Sequence, residues 1–274
     1  MLWLPTAGGP RAITNLVAGA TLTPGTPLPG SATTDVPGAV TEVITAVQNT
    51  QHSWGIAINI GATGFGAVDS RAVVDILVGG ATDDLLIPRL ICGHTSPGAG
   101  GMGFVYFFPL HIPRGVRIAA QLTDARPDTT ARIAVTLFGG SPPPWRVGRK
   151  VVAYGTGLYG QALTVSSSGA AAGVTELAAA TAEDLIAFMP GFQTGATVFT
   201  ALMFNVGIGV GAAPEERIGT WWWGHEVTNR LIVGPHLPWP VFRDVPAGSR
   251  LTMMASSSGA VVLPYTGLIY GVVP

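Results

Sequence analysis

Charge is what this sequence has least of. Asp, Glu, Lys and Arg make up 11% of its 274 residues, against about 25% in an average soluble domain. With so little charge to keep copies apart, much of the surface is expected to lie against other subunits. The 14 basic and 15 acidic residues nearly balance and form no run or stripe, so a nucleic-acid role has no support. Lys150 is the only lysine. A single cysteine, Cys92, excludes an intrachain disulfide framework. No apolar stretch of about 18 residues is free of turn formers, so no membrane span is expected. Met1-Leu2-Trp3-Leu4-Pro5 lacks a basic segment leading into a long apolar core, so no secretory signal is expected either.

What is abundant is glycine (38) and proline (22), scattered between short apolar runs. That pattern belongs to an all-β sandwich or barrel. The chain also contains the same segment twice. Val40-Thr41-Glu42-Val43 returns as Val174-Thr175-Glu176-Leu177 (174 − 40 = 134), and Cys92-Gly93-His94 as Trp223-Gly224-His225 (223 − 92 = 131). Ile112-Pro113-Arg114-Gly115-Val116-Arg117-Ile118 returns as Val245-Pro246-Ala247-Gly248-Ser249-Arg250-Leu251 (245 − 112 = 133). Three markers in one order at nearly one offset establish a duplication, which sets the architecture before any strand is assigned.

The expected layout is a Pro/Gly-rich arm over 1–36, one β-sandwich over 37–140, a Pro-rich linker over 141–150, and a second sandwich over 151–274. The arm has room for a first strand, because Asn15–Thr23 resembles Gly157–Thr164. Seven or eight strands per copy with long connections fit two tandem, jelly-roll-like sandwiches. The Ala- and Glu-containing run from Val174 to Met189 is not a long helix, since its counterpart from Val40 is rich in Val and Thr. In the repeated Pro-x-Gly-x-Arg element, Pro ends a strand and Gly supplies a turn conformation closed to residues with a Cβ. Present in both copies, it is a fold-defining turn, and Arg117 and Arg250 are structural.

Catalytic constellations are missing. The five histidines show no metal-ligand spacing, and no Gly-x-Ser-x-Gly elbow occurs. Ser166-Ser167-Ser168-Gly169 and Ser256-Ser257-Ser258-Gly259 read as turns. The pairs Asp83-Asp84, Glu183-Asp184 and Glu215-Glu216 read as solvated loop charge. The glycine-rich stretch Pro97–Gly103 leads into a strand-like run, with no helix or lysine to complete a phosphate loop. His225-Glu226 is the most suggestive pair, but its counterpart His94-Thr95 lacks the carboxylate, so only Glu226 is new. No metal, cofactor or enzymatic activity is expected.

Trp221-Trp222-Trp223 is the one conspicuous local feature. On a strand, Trp221 and Trp223 face one side and Trp222 the other. The counterparts Leu90, Ile91 and Cys92 (221 − 90 = 131) are all apolar, which points to a strand buried on both sides, its larger side chains filling a gap between domains or subunits. The alternative is an aromatic platform for a sugar ring or a partner, joined by Trp239 and Phe242. The candidate binding residues are therefore Trp221, Trp222, Trp223, Glu226, Trp239 and Phe242.

The element Phe108-Pro109-Leu110-His111-Ile112-Pro113-Arg114-Gly115-Val116-Arg117-Ile118-Ala119, with its second copy, resembles strands of tailed-bacteriophage virion structural proteins. The resemblance implies a homo-oligomeric tail, spike or capsid-surface component located in the virion. Its partners would be copies of itself, a trimer being one candidate state, and other virion proteins. A carbohydrate- or receptor-binding module that meets a surface glycan is the second reading.

Overall fold

The computed structural model describes residues 12–14, 25–63, 71–79, 83–92, 103–124, 130–140, 143–167, 172–194, 202–225, 232–233, 240–259 and 265–274. Among the described residues every regular element is a strand. The first nine are β1 (Ala12–Thr14), β2 (Thr26–Pro29), β3 (Thr41–Ile44), β4 (Ser53–Thr63), β5 (Ala72–Gly79), β6 (Asp83–Ile91), β7 (Gly103–Phe108), β8 (Arg117–Asp124) and β9 (Thr130–Gly139). They form two sheets, ordered β1-β9-β4-β7, with β2 also on β9, and β3-β8-β5-β6.

The pairings β2·β9, β3·β8, β4·β7 and β5·β6 describe one long antiparallel ribbon. It rolls up when β9 meets β4 and β8 meets β5. That is the jelly roll. Pro27 and Pro29 sit in an edge strand, the place where a missing N–H is tolerated.

The second half adds β10 (Lys150–Tyr154), β11 (Gln161–Leu163), β12 (Val165–Ser166), β13 (Gly173–Ala178), β14 (Leu185–Thr194), β15 (Leu202–Val210), β16 (Glu216–His225), β17 (Ile232–Val233), β18 (Val241–Val245), β19 (Leu251–Ser257) and β20 (Tyr265–Val273). Its ribbon is β11·β20, β13·β19, β14·β18 and β15·β16, closed by β14·β20 and β15·β19. The topology is the same. So are details of register: a bulge interrupts β3·β8 between Glu42 and Ile44, and β13·β19 between Glu176 and Ala178. The short β12 pairs with β19 in parallel, and β17 extends the sheet beyond β16.

The expected strand at 15–23 is not among the strands that can be compared between the copies. Residues 15–23 lie outside the described residues, and it is Leu28 that fills the place of Leu163 (163 − 28 = 135). Leu28 is opposite Ala131 on β9, as Leu163 is opposite Tyr265 on β20.

The Pro-x-Gly-x-Arg turn is latched the same way twice. The Gly115 N–H donates to the Asn49 carbonyl at 2.7 Å, and the Gly248 N–H to the Thr181 carbonyl at 2.8 Å. Both latching residues are buried. Asn49 also donates from Nδ2 to the Pro113 and Val116 carbonyls, at 2.8 and 3.0 Å. Gly115 and Gly248 have φ of 76° and 83°. Open space surrounds each position where a Cβ would stand, so the dihedral, not crowding, demands glycine.

The two sandwiches share a seam. One continuous hydrophobic cluster joins Ile56, Ile76 and Leu122 of the first sandwich to Met189, Leu268, Tyr270 and Val272 of the second. The outer face of the β10-β20-β14 sheet closes the flank of the first sandwich along β6 and β7. Tyr270 is the centre of it. Its hydroxyl donates to the Arg89 carbonyl at 2.8 Å and accepts the Ile91 N–H at 2.9 Å. Its ring meets Tyr106 and Phe108 edge-on, at 5.8 and 6.0 Å. Two groups on the free edge of β6 are thereby satisfied by a side chain, which protects that edge.

Candidate functional site

The Trp triplet lies on β16, held by β15 through Phe204↔Trp223, Asn205↔Trp222 and Val206↔Trp221. Alternation along the strand does the rest. Trp221 and Trp223 are 7% and 6% exposed and belong to the core of the second sandwich, whereas Trp222 is 58% exposed on the outer face. The expectation of a strand buried on both sides therefore holds for one side only. Ile91 and Trp222 occupy matching places, since Val73↔Ile91 mirrors Asn205↔Trp222 (205 − 73 = 132, 222 − 91 = 131). Ile91 is fully buried beneath the second sandwich. Trp222 has no such roof.

Trp221 has room because Gly219 lies under its ring, where a Cβ would stand 2.5 Å from it, and the facing sheet is rebuilt as well. Core-facing Ile133 and Leu137 of β9 correspond to Gly267 and Gly271 of β20 (267 − 133 = 134, 271 − 137 = 134), each paired across to a phenylalanine, Phe192 and Phe188. The first core is built mainly from Ile, Leu and Val, and the second adds Phe188, Phe192, Phe204, Trp221, Trp223 and Tyr265 to its aliphatic residues. Phe192 stacks on Tyr265 at 5.3 Å and touches Trp223 at 5.5 Å. Burial pushes the Tyr265 hydroxyl up to about 12.

Phe242, 36% exposed, is not beside Trp222. It sits on β18, in the other sheet, and packs on Trp145 of the linker at 5.8 Å. Trp145 meets Trp54 of the first sandwich at 5.5 Å. The residue is thus part of an aromatic bridge across the linker, reinforced by the Arg146–Asp244 ion pair at 2.6 Å. Glu226 and Trp239 lie outside the described residues. Of the six candidates, then, Trp221 and Trp223 share a core, while Trp222 and Phe242 face different sides of the sandwich.

The acidic pairs are not simply solvated. Asp83 is paired with Arg117, Glu183 with Lys150 at 2.5 Å and Arg149 at 3.1 Å, and Glu216 with Arg243 at 2.6 Å. Arg250 reaches Glu176 and Glu215 at 2.5 and 2.6 Å. Its hydrogen bond holds the Glu215 carboxyl below the usual carboxylate range. Both turn arginines are thus used structurally. The serine runs also differ from expectation. Ser166 ends β12 and Ser257 ends β19, where the Ser257 hydroxyl donates to the Ser166 carbonyl at 3.3 Å. Parallel pairing of β12 with β19 draws the two runs together.

His52 and His111 stack face to face at 5.6 Å. His94 and His236 lie outside the described residues. Among the described residues no group of three or more His, Cys, Asp or Glu could hold a metal ion. Cys92 is buried, and burial pushes its thiol well up, suppressing the thiolate that a nucleophile would need.

Two residues carry weight that the sequence did not show, Arg89 at the seam and Met203 on the bare face. Arg89 adopts φ of 51° at a bulge, where the register shifts from Val74↔Leu90 to Ile76↔Ile87. Its N–H donates to Asp75 Oδ1 at 2.6 Å. Its guanidinium donates to the carbonyls of Ala153, Gly155 and Gly157 at 3.0, 3.2 and 2.7 Å. Pro88 was the available signal, because a proline inside a strand marks an edge or a bulge. Met203, 48% exposed on β15 near Trp222, carried no signal at all.

No family model and no curated protein matches this chain. Among solved structures it is similar to the tandem CBM22-1–CBM22-2 domains of Paenibacillus barcinonensis Xyn10C, at 10% identity over 97% of this chain and 92% of that one, with a TM-score of 0.28. It is similar to N-glycanase F (PNGase F) at 10% identity over 90% and 95% of the two chains, with a TM-score of 0.33. It is also similar to a structure of infectious bursal disease virus, Gx strain, at 11% identity over 97% and 72%, with a TM-score of 0.23. Superpositions this loose assign no ligand and no activity.

Proposed function

We propose that this chain is a non-enzymatic structural component of a virus particle, built to assemble with copies of itself. The observation that supports this most is the unequal treatment of two matching surfaces. Ile91 of the first jelly roll is covered by the second, while Trp222 and Met203 of the second are left bare. A chain with 11% charged residues that still exposes large apolar groups on a sheet face is suited to permanent contact with a partner. Jelly rolls serve both capsids and lectins, and a fused pair offers two similar outlines for one assembly. A trimer would then present six sandwiches about one axis. A tail, spike or capsid-surface position in a tailed phage agrees with the Pro-x-Gly-x-Arg turns.

Sedimentation of the purified chain tests the reading. We expect a defined oligomer that persists at micromolar concentration and on dilution; a monomer throughout would overturn it.

Exposed Trp222 also supports a second reading, a carbohydrate- or receptor-binding module, because a tryptophan face can stack on a sugar ring. Under that reading the monomer binds a glycan panel, and Trp222→Ala abolishes the binding.

A further inference from the structure

We infer that the outer face of β16 and β15 around Trp222 and Met203 docks the outer face of the β9-β4 sheet of a second copy. The contact would run head to tail and repeat the seam already present within the chain. The inference rests on the proposal that the chain self-assembles, and names the two surfaces that would meet.

The argument is the duplication read in three dimensions. In the chain, the first sandwich offers its β6 flank, and the second covers it with the outer face of β10-β20-β14. The flank of the second sandwich equivalent to β6 is β16, where Trp222 stands in the place of Ile91. The surface equivalent to the covering face belongs to the first sandwich. Thr136 corresponds to Tyr270 (270 − 136 = 134), and Ala57 to Met189 (189 − 57 = 132). The paired positions agree, Ala57↔Thr136 in one copy and Met189↔Tyr270 in the other. A counterpart of each half is therefore present at opposite ends of one chain, and although β17 takes the β16 edge at Gly224 and His225, the outward face at Trp222 stays bare for another copy to cover.

The chemistry of the two faces fits. Ala134 and Thr136 are half-buried small side chains between exposed Asn59 and the Phe107–Phe138 pair, with Ala57 buried among them. Where the internal seam sets Tyr270 against the backbone at Ile91, the second seam would seat Trp222 on Ala134 and Thr136. A contact between different patches is heterologous, closing to a ring when its rotation permits.

Mixing two variants tests this. Trp222→Glu spoils the β16 face, and Thr136→Arg the covering face; both positions point away from the cores, and unchanged circular dichroism and melting would verify folding. Each variant alone should sediment as a monomer, while the wild type is an oligomer. An equimolar mixture should form a 1:1 dimer and nothing larger, because one intact face of each kind remains. A dimer from the mixture supports the inference. Wild-type assembly unaffected by Trp222→Glu overturns it and leaves self-assembly standing. Loss of assembly in Trp222→Glu but not in Thr136→Arg also overturns it, pointing to a two-fold contact of Trp222 with itself. If either variant misfolds, Met203→Glu and Asn59→Arg probe the same two faces under the same criteria. A monomeric wild type overturns both the inference and the proposal beneath it.

Discussion

At the scale of single residues, the two copies check one another. Asn49 and Thr181 are different residues doing one job: each accepts a glycine N–H through its backbone carbonyl, and each side chain bonds its turn twice more. Asn49→Ala should cost about 1–2 kcal/mol by leaving two part-buried carbonyls without their donor, measured by urea unfolding. Gly115→Ala should cost about 1–2 kcal/mol, because alanine resists a positive φ even in open space.

The turn arginines set the response to acid. Arg250 holds Glu215 below its ordinary value of 4.5. A carboxylate depressed in the fold stabilises it above the unfolded value, and that contribution fades as pH falls through the lowered one. The gap in urea midpoint between wild type and Glu215→Gln should therefore be open at pH 7 and narrow near pH 3. A gap that widened in acid would contradict the assignment.

At the scale of elements, three consecutive tryptophans should behave as two kinds. Trp221→Ala and Trp223→Ala each remove a packed core ring, costing about 3–5 kcal/mol. Trp222→Ala, on the outer face, should change the stability of the isolated protomer by no more than about 0.5 kcal/mol. Thermal or urea melts of the three variants decide this directly.

The alternation behind that contrast was legible in the sequence, as was the alignment of one copy on the other. The offset of 131 linking Leu90 to Trp221 is the one that the pairings Val74↔Leu90 and Val206↔Trp221 display. Strand β2 was not legible, because Pro27 and Pro29 disguise a strand whose one essential core residue is Leu28. Nor was the difference between Ile91 and Trp222. Both are outward-facing and apolar, and only the packing of one sandwich against another, far away in sequence, separates them. The same holds for Tyr270, whose hydroxyl bonds residues 179 and 181 positions away.

At the scale of the whole molecule, the seam makes the sandwiches one folding unit. Its cluster spans both, and Arg89, Tyr270 and the Trp54–Trp145–Phe242 bridge lock it. Calorimetry of the wild type should show one transition. Combining Arg89→Ala with Tyr270→Phe should split it in two, because the β6 edge groups and the carbonyls after β10 lose their shared partners.

Because the seam is formed with β20, protection of the first sandwich depends on chain made much later. Ile91 and Tyr270 are 179 residues apart, an interval that takes on the order of 10–40 s to synthesise at roughly 5–20 residues per second. Until then the nascent first sandwich shows the ribosome's surroundings a naked strand edge and an open apolar flank. A chain halted in that interval would be left sticky, whereas a finished one closes the flank itself, so completion of synthesis is what renders the first half safe to release.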